Sequence, residues 1–223
     1  MNDEQKQQEA EMHRLYQEYM QRVHAEQLEF QRKVQDAQRW AQVTQNEINN
    51  MPRTKYAAIV AVDLAGSFAK DGKIPWNYPE DFKWFQGKTQ GHICVMGRTT
   101  YEDITNHLGD KAAKSVLPGR KCFVVTSRPL EKDNAIAIAN LGELEKHLSF
   151  EERETKTVFI CGGEGIYSEG IAYCDTLYIT VVNKDVEGDR KFPIAYTLKH
   201  FDITQEFKHE GAPDLKFTVW KRK

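Results

Sequence analysis

Apolar positions in the first fifty residues advance in steps of three, four and seven. Tyr16, Met20, Val23, Phe30, Val34, Ala37, Ala41 and Ile48 fall on one stripe of a helix, interrupted at Gln27 and Thr44. The stretch contains no Gly and no Pro, so nothing in it turns the chain. The pattern predicts a long amphipathic helix over 1–51, with a heptad seam suited to self-association, a coiled-coil partner or docking on another surface. A solitary helix gains little stability in water. The period breaks at Met51-Pro52-Arg53-Thr54. Beyond it, short apolar runs at 56–62, 92–96, 121–127, 135–139, 157–161 and 176–182 predict buried strands. Helical patterns at 81–89, 99–106, 141–148 and 164–173 lie between them, and 201–209 with 215–221 predict a closing antiparallel hairpin. Such alternation implies an α/β fold over 52–223, with a mixed, mainly parallel central sheet flanked by helices.

Composition narrows the class. The chain has 223 residues, 40% hydrophobic and 29% charged, enough for one sizeable domain and an appendage. The first 51 residues carry eleven Gln and nine acidic against six basic side chains, which marks them off from the rest. A net charge of −2 gives no reason to expect nucleic acid as a partner. No apolar run approaches the roughly 18 residues that cross a bilayer, and the N-terminus lacks the apolar core of a secretory signal. Cys94, Cys122, Cys161 and Cys174 show no paired short spacing, and three lie in strand-like runs. That pattern suggests buried, reduced thiols rather than disulfides or a zinc site, and cytoplasmic residence. No metal-ligand cluster or Ser-His-Asp arrangement stands out.

Candidate chemistry centres on Asp81. Pro79 can open a helix, because its missing N–H is not needed there. Asp81 then falls in the first turn, with Trp84 and Phe85 on the same face. A first-turn Asp commonly serves only the helix dipole. Among aromatic side chains it could also accept two hydrogen bonds from the amidine-like edge of a heterocycle, burial raising its pKa and the helix N-terminus lowering it. Gly97-Arg98-Thr99-Thr100 runs from a strand into a helix, where backbone N–H groups attract phosphate and Arg98 offers a forked cation. Pro118-Gly119 fits a type II turn before Arg120. Cys161-Gly162-Gly163 opens another helix without matching the dinucleotide fingerprint.

Ala58-Ile59-Val60-Ala61-Val62 followed by Ile74-Pro75-Trp76-Asn77-Tyr78-Pro79-Glu80-Asp81-Phe82-Lys83-Trp84-Phe85 resembles the first strand, mobile active-site loop and first helix of dihydrofolate reductases. Four later segments follow in family order, so the resemblance covers about three quarters of the chain, 55–223. It implies NADPH-dependent reduction of dihydrofolate to tetrahydrofolate. By that resemblance Asp81 binds the pterin and helps deliver the N5 proton, and Trp76 packs at the mouth. Ile59, Val60 and Phe85 line the pterin pocket, Leu117 packs on the aminobenzoyl ring, Arg120 pairs with the glutamate carboxylate, and Thr180 hydrogen-bonds the catalytic carboxylate. The cofactor falls to Ala61, Gly97, Arg98, Thr99, Thr100, Ser127, Arg128, Gly162, Gly163 and Tyr167, with a cis peptide at the glycine pair. Asp189 helps close the mobile loop. Ala69 stands where the family usually has Gly, and extra residues lie between Ile104 and Leu117 beside the expected substrate tail. Two other readings are a pyrimidine reductase on the same fold, which gives no reason for Pro75-Trp76 with Asp81, and a non-catalytic NADP-binding or assembly protein acting through the helix.

Overall fold

The computed structural model describes residues 3–112 and 114–223, with side chains at 14, 17 and from 20 onward apart from 47, 48 and 110. The side chains of Tyr16 and Ile48, two members of the stripe, thus lie outside the described residues. The chain divides into two compact units, Met1–Met51 and Pro52–Lys223. The first is helix α1 (Asp3–Asn49). Its ion pairs run along its own surface, Arg22 to Glu26 at 3.3 Å and Lys33 to Glu29 at 2.9 Å. Such i,i+4 pairs add only a few tenths of a kcal/mol, roughly 0.2–0.5 each.

The second unit is built on strands β1 (Lys55–Val62), β2 (Ser67–Ala69), β3 (Ile93–Gly97), β4 (Lys121–Val125), β5 (Ile136–Ile138), β6 (Thr157–Ile160), β7 (Thr176–Val182), β8 (Arg190–Lys191), β9 (Phe201–His209) and β10 (Ala212–Arg222). Helices α2 (Pro79–Thr89), α3 (Arg98–Leu108), α4 (Phe150–Thr155), α5 (Glu164–Gly170) and α6 (Ile194–His200) connect them. Eight strands form one sheet in the order β5-β4-β3-β6-β1-β7-β10-β9. The first six in that order are parallel, and β10 joins antiparallel to both β7 and β9. The small β2–β8 pair stands apart from it.

The parallel strands are apolar on both faces because helices cover both. Val60, Val95, Phe123 and Ile160 fill one layer together with Leu144 and Tyr167. Ile59, Cys94, Met96 and Val124 fill the other, against Trp84, Phe85 and Leu117. The segment 141–148 forms a 3-10 helix, Leu141–His147, capped by the Asn140 side chain, rather than an α-helix. The helix opening at Glu164 stops at Gly170, shorter than its apolar pattern, and Gly170 packs so near Ile160 that a Cβ there would sit 3.0 Å from it.

The extra residues after Ile104 prolong α3 and then form a 3-10 turn, Gly109–Ala112. Ala112 is fully buried, and Asn134 ties the turn down. The Asn134 amide donates to the Ala112 carbonyl at 2.7 Å and accepts from the Tyr101 hydroxyl at 2.7 Å. Asn134→Ala removes both partners at once. It is expected to cost about 1–3 kcal/mol, the penalty for stranding buried polar groups, read as a lower urea midpoint with unchanged slope.

Candidate active site

Tyr78, which is extended, precedes helix α2 as its N-cap, and Pro79 opens the first turn, where the fixed φ suits helix entry. Asp81 follows in the same first turn, its N–H bonded to the Tyr78 carbonyl at 3.1 Å. Thr180 of β7, only 1% exposed, reaches the same carboxylate with its hydroxyl. Burial pushes the Asp81 pKa up from its ordinary value, and the Thr180 hydrogen bond opposes that rise. Tyr167 is near enough for the Asp81 charge to raise its own pKa, after the larger effect of burial and that of Cys161.

Aromatic groups cluster around Trp84, one helical turn after Asp81. Trp84 meets Phe207 and Phe217 with ring centroids 5.1 Å away in each case, and Tyr178 at 6.2 Å. Phe85, Leu117 and Ile59 share one apolar cluster. Trp76 packs with Val182, Leu215 and Phe217, and Ala61 borders that group. Val60 differs: the strand's alternation turns its side chain to the opposite layer, with Tyr167. The Ile59 carbonyl accepts from the Tyr167 hydroxyl at 2.8 Å, so the strand edge contributes backbone as well as side chain.

Arg120 lies along the same helix. Its guanidinium donates to Thr89 Oγ1 at 2.8 Å, the Pro118 carbonyl at 2.7 Å and the Gln86 carbonyl at 3.3 Å. These bonds hold it 5.9 Å from the Phe85 ring centre. No carboxylate neutralises it among the described residues, which leaves a fixed cation at one end of an apolar cleft.

On the far side of β1, the ends of β3 and β6 come together. The Gly97 N–H donates to the Gly162 carbonyl at 2.8 Å, and the Gly162–Gly163 peptide is cis. A Cβ on Gly162 would lie 3.2 Å from Thr100 Oγ1, and one on Gly97 would lie 3.2 Å from Ile166. The glycines therefore keep a flat backbone surface under the first turn of α3. Thr99 is exposed on that turn. Arg98 donates through Nε to Glu102 at 2.6 Å, and through Nη1 to the carbonyls of Arg128 at 3.3 Å and Pro129 at 3.1 Å. Its Nη2 makes none of these bonds. Ser127 and Arg128 are exposed beside it, giving two cations near one helix N-terminus.

Asp63, two residues after Ala61, is a buried carboxylate that the motifs did not single out. It is 2% exposed, and its carboxylate accepts N–H groups of Ala65 at 2.9 Å, Ser67 at 2.7 Å and Val186 at 3.2 Å. It fastens the loop after β1 to the loop after β7. Gly188 lies so close that a Cβ would fall 2.5 Å from Ser67 Cβ. Asp189 joins the same contact through its backbone, donating to the Ala69 carbonyl at 3.0 Å. Ala69 sits buried in β2, and the only described non-glycine residues with positive φ are Asp71 and Glu187, so its methyl is accommodated. The available signal for Asp63 was a charge placed directly after six apolar residues of a strand.

A carboxylate in an aromatic pocket, a glycine surface one strand away, and fixed cations at both ends define an α/β enzyme that brings two small molecules together. The dihydrofolate reductase family model matches residues 55–222. Dihydrofolate reductase of Bacillus subtilis is 35% identical over 169 residues, spanning 74% of this chain and 93% of that protein. The HdrB dihydrofolate reductase of Haloferax volcanii is 32% identical over 62% of this chain and 71% of its own length. A dihydrofolate reductase from Enterococcus faecalis, solved with NADP(H) and RAB-propyl, superimposes with a TM-score of 0.63 at 26% identity, covering 76% of this chain and 96% of that one. The chain belongs to the dihydrofolate reductase family.

The raised Asp81 pKa has a consequence for stability. The unfolded chain gives up this proton near the ordinary value of 3.8, and the folded one only at higher pH. The ionised carboxylate therefore destabilises the fold above that window and is without effect below it. Asp81→Asn is expected to melt at a higher temperature than the parent at pH 7, the difference vanishing as pH falls below 3.8. A variant less stable at neutral pH would show that Asp81 supports the fold in its charged form.

Proposed function

We propose that the chain reduces 7,8-dihydrofolate to 5,6,7,8-tetrahydrofolate with NADPH, hydride arriving at C6 and a proton at N5. The observation carrying this reading is Asp81, a carboxyl group whose pKa burial raises, hydrogen-bonded by Thr180, in the first turn of α2 within the segment that resembles the family's first helix. NADPH supplies the hydride when bound. Asp81 accepts the 2-amino and ring-nitrogen edge of the pterin and holds the ring in register. Its raised pKa keeps a proton on the carboxyl to higher pH, favouring protonation of the substrate. Ile59, Phe85 and the backbone at Val60 border the ring, and Leu117 covers the aminobenzoyl group. Arg120, already oriented by three acceptors, receives the glutamate carboxylate without first having to be ordered.

The glycine surface at Gly97, Gly162 and Gly163 suits a flat dinucleotide, since a side chain at Gly162 would crowd Thr100. Ala61 and Tyr167 border the nicotinamide end. Arg98, Thr99, Thr100, Ser127 and Arg128 lie where the pyrophosphate and 2′-phosphate belong, which favours NADPH over NADH. The loops joined by Asp63 and the packing of Trp76 exclude water from the reacting atoms. A non-catalytic NADP-binding protein is less well supported, because Asp81, Arg98 and Arg120 are all present. Residues 1–51 act outside the chemistry, through self-association or a protein partner. We place the protein in the cytoplasm, a reading supported by four unpaired cysteines, three of them buried. No helix among the described residues is long and apolar enough to cross a membrane.

Purified protein is expected to oxidise NADPH only when dihydrofolate is added. Asp81→Asn should lower kcat at least tenfold, about 1.4 kcal/mol in the barrier, and should flatten the fall in rate as pH rises. Unchanged turnover in that variant would remove the mechanism. Arg128→Ala, tested separately, should raise KM for NADPH while leaving that for NADH nearly unaltered. Deleting residues 1–51 should leave kcat and both KM values within twofold.

A further inference from the structure

The catalytic reading leaves α1 unused, and the stripe along it specifies a partner in some detail. Steps of four and three from Met20 make Met20, Gln27, Val34 and Ala41 the a positions of a heptad, and Val23, Phe30, Ala37 and Thr44 the d positions. None of these eight is buried, and Met20, Phe30 and Val34 are exposed by 46%, 68% and 38%. The flanking g positions include Glu26 and Lys33, whose side chains stay 67% and 69% exposed although each pairs along its own helix. The e positions His24, Gln31, Gln38 and Gln45 carry no acid.

These positions discriminate between arrangements of two copies. In a parallel pair, g faces e of the other helix, so Glu26 meets Gln31 and Lys33 meets Gln38. No opposite charges pair, and Ala37 and Ala41 each face themselves across a thin layer. In an antiparallel pair a faces d and g faces g. The register that sets Gln27 against Phe30 of the second copy also sets Met20 against Ala37 and Val34 against Val23, large against small or equal against equal. It brings Glu26 to Lys33 twice. The two Gln27 amides then occupy adjacent central layers, about 4.5 Å apart along the axis, where amide can bond amide. Sliding by one heptad in one direction faces Lys33 with Lys33, and in the other Glu26 with Glu26. Both slides also separate the two glutamines.

We propose that α1 pairs with α1 of a second copy of this chain as an antiparallel coiled coil centred between Gln27 and Phe30, with Glu26 of each copy beside Lys33 of the other. The helices' Met51 ends then leave the rod in opposite directions. The inference does not depend on the catalytic reading, because its readouts are mass and cross-linking.

Full-length protein should have twice the 25.8 kDa chain mass in light scattering. Phe30→Asp, which puts a charge in both central layers, should yield a monomer whose NADPH oxidation is unchanged. For the register, E26C and K33C are each oxidised alone and after co-expression, against the parent chain as the control for native thiols. Disulfide-linked dimer should appear only in the co-expressed pair, at least tenfold above either single variant. Dimer from K33C alone or E26C alone identifies one of the slid registers and overturns the proposal. So does a monomeric parent, a dimeric Phe30→Asp variant, or no cross-link in the mixture.

Discussion

The site depends on the placement of β1 between β6 and β7. Ala61 stands beside Thr180 on one side, and Ala58 beside Ile160 on the other. Strand side chains alternate with period two, so a slip of one residue in β7 would turn Thr180 away from Asp81 and bring Tyr178 or Val182-type neighbours into the wrong layer. That register is fixed by burial on both faces: Ile59 belongs to one layer and Val60 to the other, and neither can exchange without exposing apolar surface. The same register brings Ile59 under the Tyr167 hydroxyl and the end of β6 level with the end of β3, where the glycines meet. The geometry of the candidate site is a consequence of sheet packing, with loops added at the carboxyl ends of the strands.

Two carboxylates, Asp63 buried and Asp81 half-buried, show how different surroundings assign different work. Asp63 accepts three backbone N–H groups, enough to occupy most of its lone pairs, and serves as a fixed anchor between two loops. Asp81 has one hydroxyl donor, from Thr180, and apolar walls elsewhere, so its charge is poorly compensated. A poorly compensated carboxylate is the one able to bind a cationic or donor-rich heterocycle edge and to hold a proton. The fold gives up some stability at Asp81 and recovers rigidity at Asp63.

The sequence made the parallel strands legible because each is a dense apolar run bounded by polar turns. Strand β7 was readable to the residue, and β1 to within one. The shorter elements were not. Strands β2 and β8 have three and two residues, too few for any period to show. Helix α4 buries no side chain, so it has no stripe, although Ser149 and Glu152 form a capping box that could have marked its start. Among the candidate site residues, Asp81, Arg120 and the glycine pair stand out through motif spacing. The opposite facing of Val60 and the anchoring role of Asp63 required knowledge of which loops meet, and contacts between Asp63 and Val186 span 123 positions of chain.

Arg98 shows why a motif can name a residue without giving its state. The spacing from Gly97 puts a guanidinium at the first turn of α3, but not what it touches. In the folded chain, Glu102 one helical turn later and two carbonyls after β4 take Nε and Nη1. These bonds remove the rotamer freedom that an exposed arginine would lose on binding a phosphate, which costs up to roughly 2 kcal/mol for a long side chain. Glu102 also offsets part of the charge. The arginine thus contributes orientation more than net field, and the exposed Arg128, with no carboxylate bonded to it among the described residues, contributes field more than orientation. Under the proposed function, dividing the two tasks between neighbouring cations would let the site tell a dianionic phosphate from a hydroxyl by charge at one residue and by geometry at the other.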